Sequence, residues 1–154
     1  MAVVTPSEAP TFDTGEATIT GLASPSRGST DTAAWRVRFA PDHPSPSHSM
    51  SREEIVIVVD GSLTAQFRDR DETAEAGGAL IVPAGEAFTL VARGAPAEAI
   101  CIMAVGGQAT ADGATFTPPW KLGSNAKKLL VTASVPASNA FTCGAPPAPA
   151  PTTI

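Results

Sequence analysis

Along the first hundred residues, apolar positions come in short runs separated by glycine, proline, aspartate and serine. Runs of this length, rich in β-branched residues, read as strands of an all-β protein. The pattern predicts strands over 17–21, 34–39, 54–59, 62–68, 79–82, 88–92 and 97–105. No stretch shows a convincing helical period.

Alternation assigns the faces. Trp35, Val37 and Phe39 share one side of their strand and Arg36 and Arg38 the other, so that strand is half buried. The stretch Ile55 to Val59 is apolar on both sides and needs cover on both, either inside a sandwich or against a second subunit. Asp60-Gly61 stands between two apolar runs, a short-range hairpin signal, so 54–59 and 62–68 are expected to pair across a turn there. Gln66 follows Leu63 and Ala65 and precedes Phe67; it points either inward as a hydrogen-bonding group or outward onto a wet face. The acidic stretch 69–75 reads as a solvated hairpin loop.

A chain of 154 residues with 43% hydrophobic content suits one domain with a packed core. Through Trp120, seven arginines and no lysine stand against all fifteen acidic residues, while the remainder carries only Lys121, Lys127 and Lys128. An acidic body lacks the clustered basic surface that nucleic acids and anionic membranes require, which leaves small molecules as the expected ligands. The change of composition suggests a domain over 1–120 and an extension over 121–154. The extension is Pro/Ala-rich and expected to be extended or flexible, with 128–135 its one candidate strand. Two cysteines, Cys101 in an apolar run and Cys143 in the extension, do not make a disulfide framework. No basic and apolar leader opens the chain, and a cytoplasmic protein is the expectation.

The candidate chemistry lies in two spaced groups. His48, Met50, Glu54 and Gly61 follow Asp42 at fixed intervals, and Gly77, Pro83, Gly85, Phe88 and Ala92 form a second set. These stretches resemble the two cupin motifs, G-x5-H-x-H-x3-E-x6-G and G-x5-P-x-G-x2-H-x3-N. His48, Glu54 and Gly61 match the first; Gly77, Pro83 and Gly85 match the second. Together they make six of the ten fixed positions, and the likeness extends over about 35–105. Gly106-Gly107-Gln108 and the segment 116–120 also look like the end of small actinobacterial cupins. The resemblance implies a cupin-type antiparallel β-barrel, or jelly roll, of six to eight strands, as a homodimer.

The departures bear on function. Cupins hold a divalent ion with three histidines and a glutamate, but Asp42 replaces the first glycine, Met50 the second histidine, Phe88 the third and Ala92 the asparagine. His48 and Glu54 remain as candidate metal ligands, with Met50 a soft thioether donor. The other reading is that Met50 and Phe88 fill the interior, sulfur against ring, and no cofactor is bound.

The resemblance brings His48 and Glu54 close together. They then form either a general acid/base pair, the carboxylate raising the imidazole pKa, or a polar pair that anchors two strands. Trp35, Met50, Gln66, Phe88 and Met103 complete an expected pocket, mostly apolar, suited to a partly hydrophobic compound. His43 reads as an exposed loop residue, and Cys101 as a buried thiol without an activating cation. Three functions stay open. One is a metal-independent isomerase, cyclase or lyase acting on a compound of secondary-metabolite type; the others are a metal-dependent oxygenase or isomerase and a non-catalytic binding module.

Overall fold

The structure, a computed structural model, describes residues 1–5 and 7–121, so the candidate strand 128–135 and Cys143 lie outside the described residues. The described part holds twelve strands: β1 Thr11–Asp13, β2 Ala17–Ala23, β3 Thr32–Phe39, β4 His48–Met50, β5 Glu54–Asp60, β6 Ser62–Gln66, β7 Asp71–Glu75, β8 Ala79–Val82, β9 Ala87–Val91, β10 Ala97–Ala104, β11 Ala109–Ala111 and β12 Ala114–Phe116. They form two six-stranded sheets, β1-β2-β3-β10-β5-β8 and β12-β11-β4-β9-β6-β7, and every strand pairing is antiparallel. No helix among the described residues is long and apolar enough to cross a membrane.

The expected barrel of six to eight strands is corrected by this topology. Hydrogen bonding resolves into two separate sheets with no strand shared between them, and neither curls closed on itself. The core lies between the sheets. Trp35, Val37 and Phe39 are buried on the inner face of the first sheet, as their alternation predicts. Arg36 and Arg38 both reach Glu98 from the other face, at 3.2 and 2.7 Å. Leu63 and Ala65 on β6 and Phe88 and Leu90 on β9 are buried on the inner face of the second sheet.

The hairpin expected at Asp60-Gly61 does not form. β5 pairs with β10 and β8 in the first sheet, whereas β6 pairs with β7 and β9 in the second. Gly61 is a corner. Its φ of 73° is the left-handed conformation that glycine adopts without penalty, and a Cβ there would stand 2.6 Å from the Pro96 carbonyl oxygen. The return strands bend alongside, with Val58 N–H donating to the Gly78 carbonyl and Ala76 N–H to the Gly61 carbonyl. The real hairpin joins β6 to β7, closed where Phe67 N–H donates to the Arg70 carbonyl. The acidic stretch read as a loop is therefore an edge strand, with only Ala74 buried along it.

On the outer face, Ile57, Val59 and Ile81 are exposed. The inner positions of β5 are Glu54, Val56 and Val58, all buried. At the C-terminal end of the described chain a single 3-10 turn, Pro119–Lys121, crosses β2 at Gly21, where a Cβ would meet the Trp120 carbonyl oxygen at 2.5 Å. Trp120 packs against Phe12 and Trp35, with ring centroids 6.3 and 6.5 Å apart. The boundary expected after Trp120 thus falls inside this turn, and Lys121 is buried with the domain.

Candidate functional site

β4 is too short to show a period of its own, but its register places its side chains. His48 stands directly opposite Phe88 of β9, and opposed residues of an antiparallel pair share a face. Phe88 is buried, so His48 also turns toward the core; the two rings lie 4.3 Å apart between centroids. Met50, two residues on, is buried on that face, and the Phe67 ring lies 6.3 Å beyond Phe88. The imidazole of His48 thus ends an aromatic row.

The protonation of His48 follows from its surroundings. Nδ1 lies 2.8 Å from the Pro46 carbonyl oxygen, which can only accept, so Nδ1 carries the proton and Nε2 keeps its lone pair. Burial pulls the imidazole pKa below its ordinary value of 6.5, and the Pro46 hydrogen bond only partly opposes this. The sequence suggested a carboxylate neighbour that raises it. Instead the shift runs the other way, because Glu54 stands on the opposite sheet and forms no hydrogen bond with His48 among the described residues.

Glu54 opens β5, paired with Met103 on one side and Val82 on the other, and is 2% exposed. The Cys101 thiol donates to its carboxyl group, while Oε2 has no hydrogen-bond partner. Burial pushes its pKa up to about 7, against the opposing effects of that thiol and of the Lys121 charge. Cys101 is fully buried, and desolvation followed by the neighbouring carboxylate holds its pKa well above the usual thiol value. That environment belongs to an inert thiol rather than a nucleophile.

Lys121 completes this group. Its ammonium donates to the Gly107 carbonyl oxygen at 3.3 Å, lies 3.7 Å from the Met103 sulfur and sits 4.8 Å from the centroid of the Trp35 ring. Burial lowers its pKa to about 8, opposed by attraction to Glu54. Glu54 and Lys121 are both among the buried polar side chains.

The residues proposed from the sequence therefore divide. His48, Met50 and Phe88 meet on the second sheet, whereas Trp35, Glu54 and Met103 meet around Lys121 on the first. Gln66 joins neither: the period-two alternation of β6 turns Leu63 and Ala65 inward, and Gln66 donates to Asp71 at 3.3 Å. His43 is exposed, with Nδ1 held by the Pro41 carbonyl oxygen. Sequence reasoning missed Lys121 and the Cys101–Glu54 contact. The available signal was that the first lysine of the chain directly follows an apolar anchor, Pro118-Pro119-Trp120.

These donors do not fit a cupin metal. Among the described residues, no group of three or more histidine, cysteine, aspartate or glutamate side chains could hold an ion. The Phe88 ring lies beside the His48 imidazole where a third nitrogen would be needed, and Glu54 already faces the positive charge of Lys121.

The cupin domain family model matches residues 35–103, close to the span over which the two motifs were read. The protein has the cupin fold. It is a small single-domain cupin fold, shared with diverse bacterial proteins of that superfamily. Among solved structures it is similar to the polyketide cyclase RemF from Streptomyces resistomycificus, with 19% identity, 77% of this chain and 89% of that one covered, and a TM-score of 0.64. It is also similar to an RmlC-like cupin from Shewanella frigidimarina, at 14% identity, 66% and 88% coverage and a TM-score of 0.57. A third such structure is KdgF from Halomonas sp., at 18% identity, 67% and 94% coverage and a TM-score of 0.57. At these identities the likeness is one of fold. Among curated proteins, none matches this chain.

Proposed function

We propose that this cupin binds a small, partly hydrophobic compound between its sheets and moves a proton on it without a metal, as an isomerase, cyclase or lyase does. One observation supports the reading: two inward ionisable groups on facing sheets, His48 and Glu54, have their affinities for protons shifted in opposite directions by burial. Burial holds His48 below its ordinary pKa and lifts Glu54 to about 7. Near neutral pH the imidazole is then an uncharged base with Nε2 free, and a substantial share of the carboxyl groups are protonated acids. Environments that push two groups apart in this way assign the acid and the base. Proton removal at one face of a substrate and delivery at the other are the elements of a cyclisation, isomerisation or dehydration. The similarity in fold to a polyketide cyclase agrees with this chemistry.

Proton abstraction can be tested before the substrate is known. Deuterium exchange into a panel of enolisable β-dicarbonyl compounds, followed by proton NMR, should be faster with the parent protein than with His48→Ala by a hundredfold or more, on the order of a general base's contribution. Glu54→Gln should slow product formation once a turnover assay exists. Equal exchange by the parent and His48→Ala would contradict the reading and favour a non-catalytic binding module.

The exposed Ile57, Val59 and Ile81 support a second proposal, that this cupin is a homodimer. Ile81 stands opposite Ile55 across the β5–β8 pair, so the side chains form one apolar strip on the outer face, and a second copy covers it. Sedimentation equilibrium at micromolar concentration should give twice the chain mass; a monomer would refute it.

A further inference from the structure

The cage around the Lys121 ammonium has more recognition chemistry than a structural lysine needs. It offers the Gly107 carbonyl oxygen at 3.3 Å, the Met103 sulfur at 3.7 Å and the face of Trp35 at 4.8 Å, all on or beside the inner face of the first sheet. A carbonyl oxygen, a thioether and an indole face are together the contacts that recognise an alkylammonium group, by hydrogen bonding and by cation–π attraction. Glu54 adds a carboxyl group that interacts with the ammonium charge, and its Oε2 is buried and unpartnered. An unpaired buried oxygen is costly to leave without a partner, so its presence marks a place for one more donor.

The route to this cage is also defined by the side chain that fills it. Lys121 belongs to a three-residue turn at the end of the described chain, and its backbone N–H is bonded to the Pro118 carbonyl oxygen within that turn. Its stem therefore runs from this turn into the space between the sheets. Gly107 makes room for it: a Cβ at that position would stand 2.7 Å from the Met103 sulfur and displace the side chain that contacts the ammonium.

We propose that the cage formed by Gly107, Met103 and Trp35, with the Glu54 carboxyl group beyond ion-pair distance, is a binding site for primary alkylammonium compounds, occupied in this structure by the protein's own Lys121 as an internal ligand. The ligand class is set by the occupant: a linear apolar stem ending in a primary ammonium group. Withdrawal of Lys121 opens the site, and an amine ligand and Lys121 compete for it. This inference does not depend on the proton transfer proposed above, because it needs only the cage geometry.

Chemical rescue separates the site from a mere packing role. In the full chain, Lys121→Ala removes three methylenes and the ammonium head, which n-butylammonium supplies with one methyl group to spare. The variant should melt below the parent, and millimolar n-butylammonium chloride should raise its midpoint by several degrees. Neither n-butanol nor sodium chloride at equal ionic strength should do so, and the parent, whose cage is filled, should not respond. Adding Glu54→Gln to Lys121→Ala should weaken the rescue about tenfold or more in amine concentration. Equal rescue by n-butanol would show an apolar hole and overturn the proposal, as would an equal response from the parent. If Lys121→Ala does not fold alone, the readout becomes the refolding yield: recovery with n-butylammonium but not with n-butanol supports the site, and equal recovery with both, or none with either, refutes it.

Discussion

The two inner faces of this protein handle polarity in opposite ways. On the second sheet, His48 is the one ionisable group of an otherwise apolar cluster with Met50, Phe88 and Phe67, and it rids itself of charge. On the first sheet, Glu54, Cys101 and Lys121 are gathered together, and each holds its proton differently than in water. The same cause, loss of solvent, lowers the affinity of the base for a proton and raises that of the acid. Two faces that share one core can therefore carry complementary proton chemistry without touching.

The aromatic side of the comparison is the more expensive to break. Phe88 is 1% exposed and contacts both His48 and Phe67, so Phe88→Ala should destabilise the fold by about 3–5 kcal/mol through lost burial and a residual cavity. Urea unfolding would show this as a lower midpoint at unchanged slope. A loss below about 1 kcal/mol would mean that Phe88 is not a core side chain.

The polar side should show itself through pH with a slightly smaller effect. The folded pKa of Glu54, about 7, lies above its ordinary 4.5, so the folded state binds the proton more tightly than the unfolded chain does. Its contribution is fully present below about 4.5 and is lost as pH rises through 7, an upper limit of about 3 kcal/mol. Glu54→Gln, which stays neutral, should flatten the fall in stability between these values. An unchanged pH profile in the variant would place the carboxyl group in water.

Much of the first sheet was legible in the sequence. The strand 79–82 has the bounds expected, and the alternation from Trp35 to Phe39 sorted inner from outer residues because one face meets solvent. The spacing of the two motifs located the matched region within two residues. What failed was non-local. Asp60-Gly61 does supply a turn with positive φ, but whether β5 and β6 pair with each other depends on β10 and β9, which compete for the same edges. The edge strand β7 carries few apolar residues because water takes one side of it, so it looked like a loop. β1, β4, β11 and β12 are three residues long, too short for a period of two to be seen. The barrel implied by resemblance gave way to two separate sheets for the same reason: closure is a matter of edges, which no local pattern encodes.

Which candidate residues turn inward was more legible than how they group. His48, Glu54, Met50, Phe88, Trp35 and Met103 all face the interior, yet the strands divide them between two sheets. Lys121 was placed with the extension because composition changes there, while its burial depends on the anchoring of Trp120 against Phe12 and Trp35.

The central claim is that Glu54 is a proton donor near neutral pH, and its own titration tests this most directly. With glutamate labelled at the side-chain carboxyl carbon, carbon-13 NMR of the parent and of Glu54→Gln identifies the Glu54 signal and follows it with pH. The account predicts a midpoint of about 7, well separated from the other glutamates. A midpoint in the ordinary range near 4.5 would contradict it, since Glu54 would then be fully ionised at neutral pH and could serve neither as the acid nor as the partner of a neutral His48.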